Sequence, residues 1–253
     1  MQFMRKLKED IRLKGRARTL VSFTRKLLKP FHDRVRKFKW FVFFHNFLWR
    51  HLIFWSLLAM EPGTVSLVKK LLKEGMTFLD LGAYRGYYTL LASKLVGEKG
   101  KVFAFEPEPE NFAWLTMNLR GKTNVNLIQK AVSNNVGTIK LFLSPSDSST
   151  HRIYDVDGKR KSIEVEVTTL DEFFKDKPYK IDLIKMDIEG AEMKALEGMT
   201  NIISKTEFYP KALQESGCSP VEFLNKLIEY GFKLYLIDDE KESVEPKSID
   251  EIM

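Results

Sequence analysis

The rhythm of apolar and polar positions changes near residue 60. Residues 1–39 carry a basic pattern with helical period, divided at Pro30, which cannot continue a helix at that point. Residues 40–60, WFVFFHNFLWRHLIFWSLLAM, form a 21-residue apolar run, the length of a membrane-crossing helix. His45, Asn46, Arg50 and His51 interrupt its middle. Arg36, Lys39, Asn46 and Arg50 recur at helical spacing and share one face. From Glu61 the pattern alternates between helix and strand periods. Helices are predicted over 65–73, 87–96, 110–119, 191–203 and 221–230. Strands are predicted over 77–81, 102–105, 125–132, 181–188, 207–209 and 232–237. Two further strands, 138–143 and 163–168, alternate apolar with polar and read as an antiparallel excursion. The strand–helix alternation argues for an α/β fold: a mostly parallel sheet covered by helices on both faces. The last helix–strand unit is free to return antiparallel at the edge. Two domains follow, a basic, aromatic-rich helical extension over 1–60 and an α/β body over 61–253.

Charge sharpens that division. The net charge of +7 averages two unlike parts. Residues 1–60 hold 15 Lys/Arg against 3 Asp/Glu, and residues 61–253 hold 26 against 31. A basic arm on a mildly acidic body suggests an anionic partner for the arm, either membrane phosphates or nucleic acid. A simple membrane span is disfavoured, because an arginine near its centre costs about 2.5–3.5 kcal/mol. It would also leave the body on the far side, away from a cytosolic cofactor. No small-residue cleavage site follows the leading region, so a signal peptide is not expected. Two readings of the arm stay open: a helix lying in the membrane interface, or a helix packed on the body or on a second subunit. The first places the protein in the cytoplasm, at the inner face of the membrane. The single Cys218 excludes an intramolecular disulfide, and the four histidines show no zinc-type spacing. No metal is expected.

In parallel α/β sheets, ligands sit beyond the carboxyl ends of the strands, at the switch in strand order. Three strand ends carry chemistry: Asp80-Leu81-Gly82-Ala83-Tyr84-Arg85-Gly86, then Glu106-Pro107, then Lys185-Met186-Asp187-Ile188-Glu189-Gly190. Gly82 and Gly86 allow a tight turn and close approach of backbone to ligand. Glu106, 20 residues after Gly86, is placed to accept the two hydroxyls of a ribose. A dinucleotide site would need a middle glycine to admit a pyrophosphate. Ala83 and Tyr84 fill that room, and Asp80 before the turn suits an ammonium better than a phosphate. A ribose, an ammonium and no phosphate together describe S-adenosylmethionine. At the third strand end, Asp187 is the candidate base or acceptor-orienting group, with Glu189 and Lys185 assisting. The plainer alternative is that both acids only favour the following helix N-terminus. His151, in the stretch after the excursion strand, is a candidate second base or a surface histidine. No Asn-Pro-Pro-Tyr block is present, which leans toward an oxygen acceptor rather than a nitrogen.

Five blocks in order, GMTFLDLGAYRGYYTLLASKL, KVFAFEPEPENF, KAVSNNVGTIKLFLS, VEVTTLDEFF and DLIKMDIEGAEMKALEGM, resemble the FkbM-type methyltransferases. The resemblance implies a Rossmann-like class I methyltransferase fold and S-adenosylmethionine-dependent O-methylation of a hydroxylated small molecule, glycan or lipid-linked sugar. It places Asp80, Gly82, Ala83, Tyr84 and Gly86 at the methionine end of the cofactor. It gives Glu106 with Pro107 the ribose, and sets Ala131, Val132 and Ser133 near the adenine. It also sets Asp187 beside the cofactor. The chain departs from the family pattern where Tyr84 replaces the usual Asn, and in the short NIISKTEFYPKAL stretch around the fifth strand. An RNA methyltransferase using the basic arm, and a non-catalytic membrane-associated cofactor binder, are the two other classes. Nucleic acid is the less expected partner, because the aromatic half of the arm fits a membrane or packing surface at least as well.

Overall fold

TFLDL, residues 77–81, is buried at every position, as a strand covered on both faces has to be. This strand, β1 (Thr77–Leu81), is the centre of the computed structural model, which describes residues 61–145, 148–155, 158–202, 219–238 and 243–252. It follows helix α1 (Pro62–Leu71), with Pro62 at a helix start where a missing N–H costs nothing. Gly86, at φ 87°, turns the chain into α2 (Tyr87–Val96), and Gly97 ends it. Strand β2 (Lys101–Phe105) leads to α3 (Pro109–Asn118). The Glu108 carboxylate caps α3 by accepting the amides of Glu110 at 3.0 Å and Asn111 at 2.6 Å. Strand β3 (Val125–Ile128) and, much later, β7 (Leu183–Met186) complete a four-stranded sheet in the order β3-β2-β1-β7. All three pairings are parallel.

The sheet alternates its side chains with period two, so each face has its own core. Leu79, Leu81, Phe103, Phe105, Ile184 and Met186 pack on one side. They meet Leu170 and Phe174 of α4 (Leu170–Phe174), Ala195 and Leu196 of α5 (Glu192–Glu197), and Phe223, Leu224 and Leu227 of α6 (Pro220–Glu229). On the other side Ala104, with Val125 and Leu127, packs against Leu90 of α2 and Phe112 and Leu115 of α3. Helices thus cover both faces, as expected.

Several predicted boundaries moved. The expected strand 125–132 divides at Gln129-Lys130. Its second part, β4 (Ala131–Val132), leaves the main sheet and pairs with β6 (Ser162–Thr168). Strand β5 (Gly137–Phe142) pairs antiparallel with β6, which is the predicted excursion. The expected strand 181–188 shortens to β7, because Asp182 is spent holding Thr77 with its side chain at 2.9 Å. The expected helix 191–203 shortens to the six residues of α5, closed where the Gly198 amide bonds back to Lys194 and Ala195. The chain continues into β8 (Tyr235–Asp238), β9 (Ser243–Pro246) and α7 (Ile249–Ile252); β8 is not part of the four-stranded sheet. The elements that form the site lie in one compact unit, Leu67–Leu236 with Val244–Met253. The basic arm, the strand expected over 207–209 and Cys218 lie outside the described residues.

Candidate active site

The turn after β1 is drawn onto its neighbours by backbone contacts. The amides of Gly82 and Ala83 both donate to the carbonyl of Phe105, at 3.0 and 2.9 Å. Gly82 sits at φ 78°, and a Cβ there would lie 2.0 Å from the backbone oxygen of Asp187. Only glycine lets the β1 and β7 ends close this far. Tyr84 also takes a left-handed conformation, φ 51°, which is uncommon for a bulky residue. Its amide thereby donates to Glu106 Oε2 at 2.8 Å. Its hydroxyl lies 3.1 Å from Ser148 Oγ, and the Arg85 guanidinium lies 5.1 Å from its ring centre.

Glu106 ends β2 with its carboxylate fixed at both oxygens. Oε1 accepts the Glu108 amide at 3.0 Å and Oε2 accepts that of Tyr84. It is only 6% exposed. Burial pushes its pKa up to about 7, against the pull of the two amides. Asn111, buried beside it in the first turn of α3, donates through Nδ2 to the carbonyl of Ser148 at 2.7 Å.

At the β7 end the ladder continues one residue, with the Asp187 amide donating to Leu81 at 3.0 Å. Lys185 Nζ donates to Asp187 Oδ2 at 3.2 Å and lies 4.9 Å from the ring centre of Tyr88. The lysine is buried, whereas the Asp187 side chain is 49% exposed. Asp80 is the register partner of Lys185. Both therefore project to the α2 side of the sheet, where Thr89 Oγ1 donates to Asp80 Oδ2 at 2.5 Å. Burial raises the Asp80 pKa, and the Lys185 charge opposes that rise. Glu189 adopts φ 55° and pairs with Arg152 at 3.3 Å, both side chains being largely covered. Glu192 holds this turn from below, its Oε1 accepting the Ile188 amide at 3.1 Å. Burial pushes the Glu192 pKa up to about 7.

These strand ends enclose a cleft of about 600 Å³, counting the space open to solvent. Gly82, Tyr84, Glu106 and Pro107 line it from the β1 and β2 ends, and Ala131 and Val132 from β4. Asp187 and Glu189 line it from the β7 end. Ala83, Gly86 and Ser133 shape the turns behind the lining; Ser133 is buried, its amide bonded to Thr168 at 3.0 Å. Asp80 and Lys185 lie beneath the sheet, outside the lining. Sequence reasoning missed Asn111, Lys130, Leu141, Ser148, Ser149 and Ile153, all of which face the cleft. His151 faces it too, but its Nδ1 accepts the Ser144 amide at 3.0 Å. In the neutral ring the hydrogen then sits on Nε2, making His151 a donor rather than a base. Among the described residues no cluster of His, Cys, Asp or Glu could hold a metal.

The lining fits an adenosine carrying no phosphate. A fixed, buried carboxylate at the β2 end has the chemistry to accept a pair of hydroxyls, and the glycine turn is too close to the β7 end for a Cβ. The parallel sheet and the cleft at its strand ends belong to the Rossmann-like α/β class. Residues 80–234 match the family described as the Methyltransferase FkbM domain, and the chain belongs to it. S-adenosylmethionine is accordingly its cofactor. Over 151 residues the chain is 29% identical to the hexuronic acid methyltransferase AglP of Haloferax volcanii, covering 58% of this chain and 60% of that protein. It is 27% identical over 170 residues to the 2-O-methyltransferase NoeI of Sinorhizobium fredii, covering 60% and 68%. A SAM-dependent methyltransferase of known structure from Aquifex aeolicus aligns over 73% of this chain and 88% of its own, with 20% identity and a TM-score of 0.44. The chain thus spans only about 60% of the length of the first of these relatives.

Proposed function

We propose that this chain transfers the methyl group of S-adenosylmethionine to a hydroxyl of a sugar, free or within a glycan or lipid-linked saccharide. The names of the relatives, a hexuronic acid methyltransferase and a 2-O-methyltransferase, support the acceptor class. The observation that carries the reading is Asp187: a half-exposed carboxylate in the cleft, fixed by a buried lysine, one β-strand away from the cofactor turn. The cofactor supplies a methyl group on a sulfonium, ready for in-line displacement by an oxygen. The chain's own residues supply the positioning, from which most of the acceleration can come. Glu106 accepts the ribose hydroxyls, and Gly82 lets the backbone approach. Asp187 accepts the hydrogen bond of the acceptor hydroxyl and takes its proton, while Lys185 holds the carboxylate in place. Leu141 and Ile153 supply an apolar part of the cleft wall.

The test is methyl transfer from labelled cofactor to a panel of hexuronic acid and neutral sugar glycosides, with RNA alongside. Transfer to a sugar is expected, and transfer to RNA alone would replace this reading. In the Asp187→Asn variant, turnover is expected to fall by about 10²–10⁴-fold while S-adenosylhomocysteine still binds. Near-normal turnover in that variant would remove the base role.

A further inference from the structure

Tyr84 bonds to two separate parts of the cleft lining. Its amide belongs to the cofactor half, bonded to Glu106. Its hydroxyl is bonded to Ser148, in the segment that carries the lining residues Ser149, His151 and Ile153. We infer that Tyr84 is a positioning residue that ties the cleft wall at Ser148 to the cofactor turn, so that bound cofactor fixes that wall in place. The inference rests on the reading of the cleft as a cofactor site.

The physical case has three parts. A left-handed φ of 51° is intrinsically unfavourable for tyrosine, so the turn depends on an outside bond to hold it. That bond goes to the carboxylate expected to receive the ribose hydroxyls, and hydrogen bonds to an ionised carboxylate are the stronger kind. A ribose that keeps Glu106 ionised therefore tightens the Tyr84 amide bond. The ring then carries this tightening across the cleft as a rigid lever, steadied by the Arg85 guanidinium. Asn111 holds the Ser148 carbonyl independently, so the wall stays attached when the tyrosine hydroxyl is removed. Tyr84→Phe therefore removes the link without removing the wall.

Hydrogen exchange of the full chain, followed in peptides covering residues 148–155 with and without S-adenosylhomocysteine, tests the link. In the native protein the ligand is expected to slow exchange there by about three- to tenfold, the effect of one hydrogen bond. Tyr84→Phe, held at a ligand concentration that calorimetry shows to be saturating for the variant, is expected to lose the slowing. Tyr84→Asn, which keeps the left-handed turn but cannot reach Ser148, is expected to behave alike. Slowing that persists in both variants overturns the inference, as does its absence in a native protein that binds the ligand. A native protein that fails to bind S-adenosylhomocysteine overturns the cofactor reading itself, and the inference with it.

Discussion

Glu106 and Glu192 are acids whose folded pKa values, each about 7, lie above the ordinary value of 4.5. Such groups favour the folded state when protonated. Their contribution is fully present below about pH 4.5 and is lost as pH climbs through about 7, on the order of 3 kcal/mol for each. The unliganded protein is thus expected to melt at lower temperature at pH 8 than at pH 5.5. Ribose binding needs the ionised Glu106, so affinity for S-adenosylhomocysteine should rise over the same interval. Between these two pH values the melting temperature without ligand should fall, while the increment added by ligand should grow. Glu106→Gln should weaken ligand binding by about 10–100-fold and flatten its pH dependence, read by calorimetry. Glu106 was legible in the sequence because a strand end 20 residues past a glycine turn is a fixed place in this fold. The direction of Asp80 was not. A strand buried on both faces shows no polar side, so its pattern does not reveal which residues face the α2 helix. Asn111 and Ser148 were silent for another reason. Their places at the cleft come from contacts between residues 37 and 64 apart, which no local period encodes.

At the scale of elements, the order of strands and helices was readable and their ends were not. Helix α2 is framed by Gly86 and Gly97, so its bounds were visible as predicted. Strand β3 and β4 share one apolar run, and the sheet change between them is made by partners far along the chain. Helix α5 ends where the Gly198 amide bonds back to Lys194 and Ala195, at a place where a Cβ would lie 2.1 Å from the Ser133 carbonyl, a long-range approach. The turn between β1 and α2 is the element most sensitive to change. Gly82→Ala should drive a methyl into the Asp187 carbonyl in a backbone region that alanine avoids. The expected result is a loss of about 2–4 kcal/mol in denaturant unfolding and of measurable S-adenosylhomocysteine binding.

For the molecule as a whole, the basic arm carries its own prediction. Among the described residues no helix is long and apolar enough to cross a membrane. The pattern of residues 1–60 leads us to propose that the arm brings the domain to an anionic membrane surface. The full chain should cosediment with vesicles containing phosphatidylserine and be released by high salt. A chain lacking residues 1–60 should remain in the supernatant, and unchanged partition would exclude the arm as anchor. The sheet itself has an order of assembly. Strands β3, β2 and β1 come from one continuous stretch, but β7 joins β1 through contacts spanning 105 residues. Until β7 arrives, one edge of β1 is an open parallel template, and pairing across so long a loop is slow. Asp187 arrives with that strand. The chemistry of the cleft therefore depends on the longest-range pairing of the four-stranded sheet: a chain in which β7 has not docked keeps Glu106 but has no partner for an acceptor.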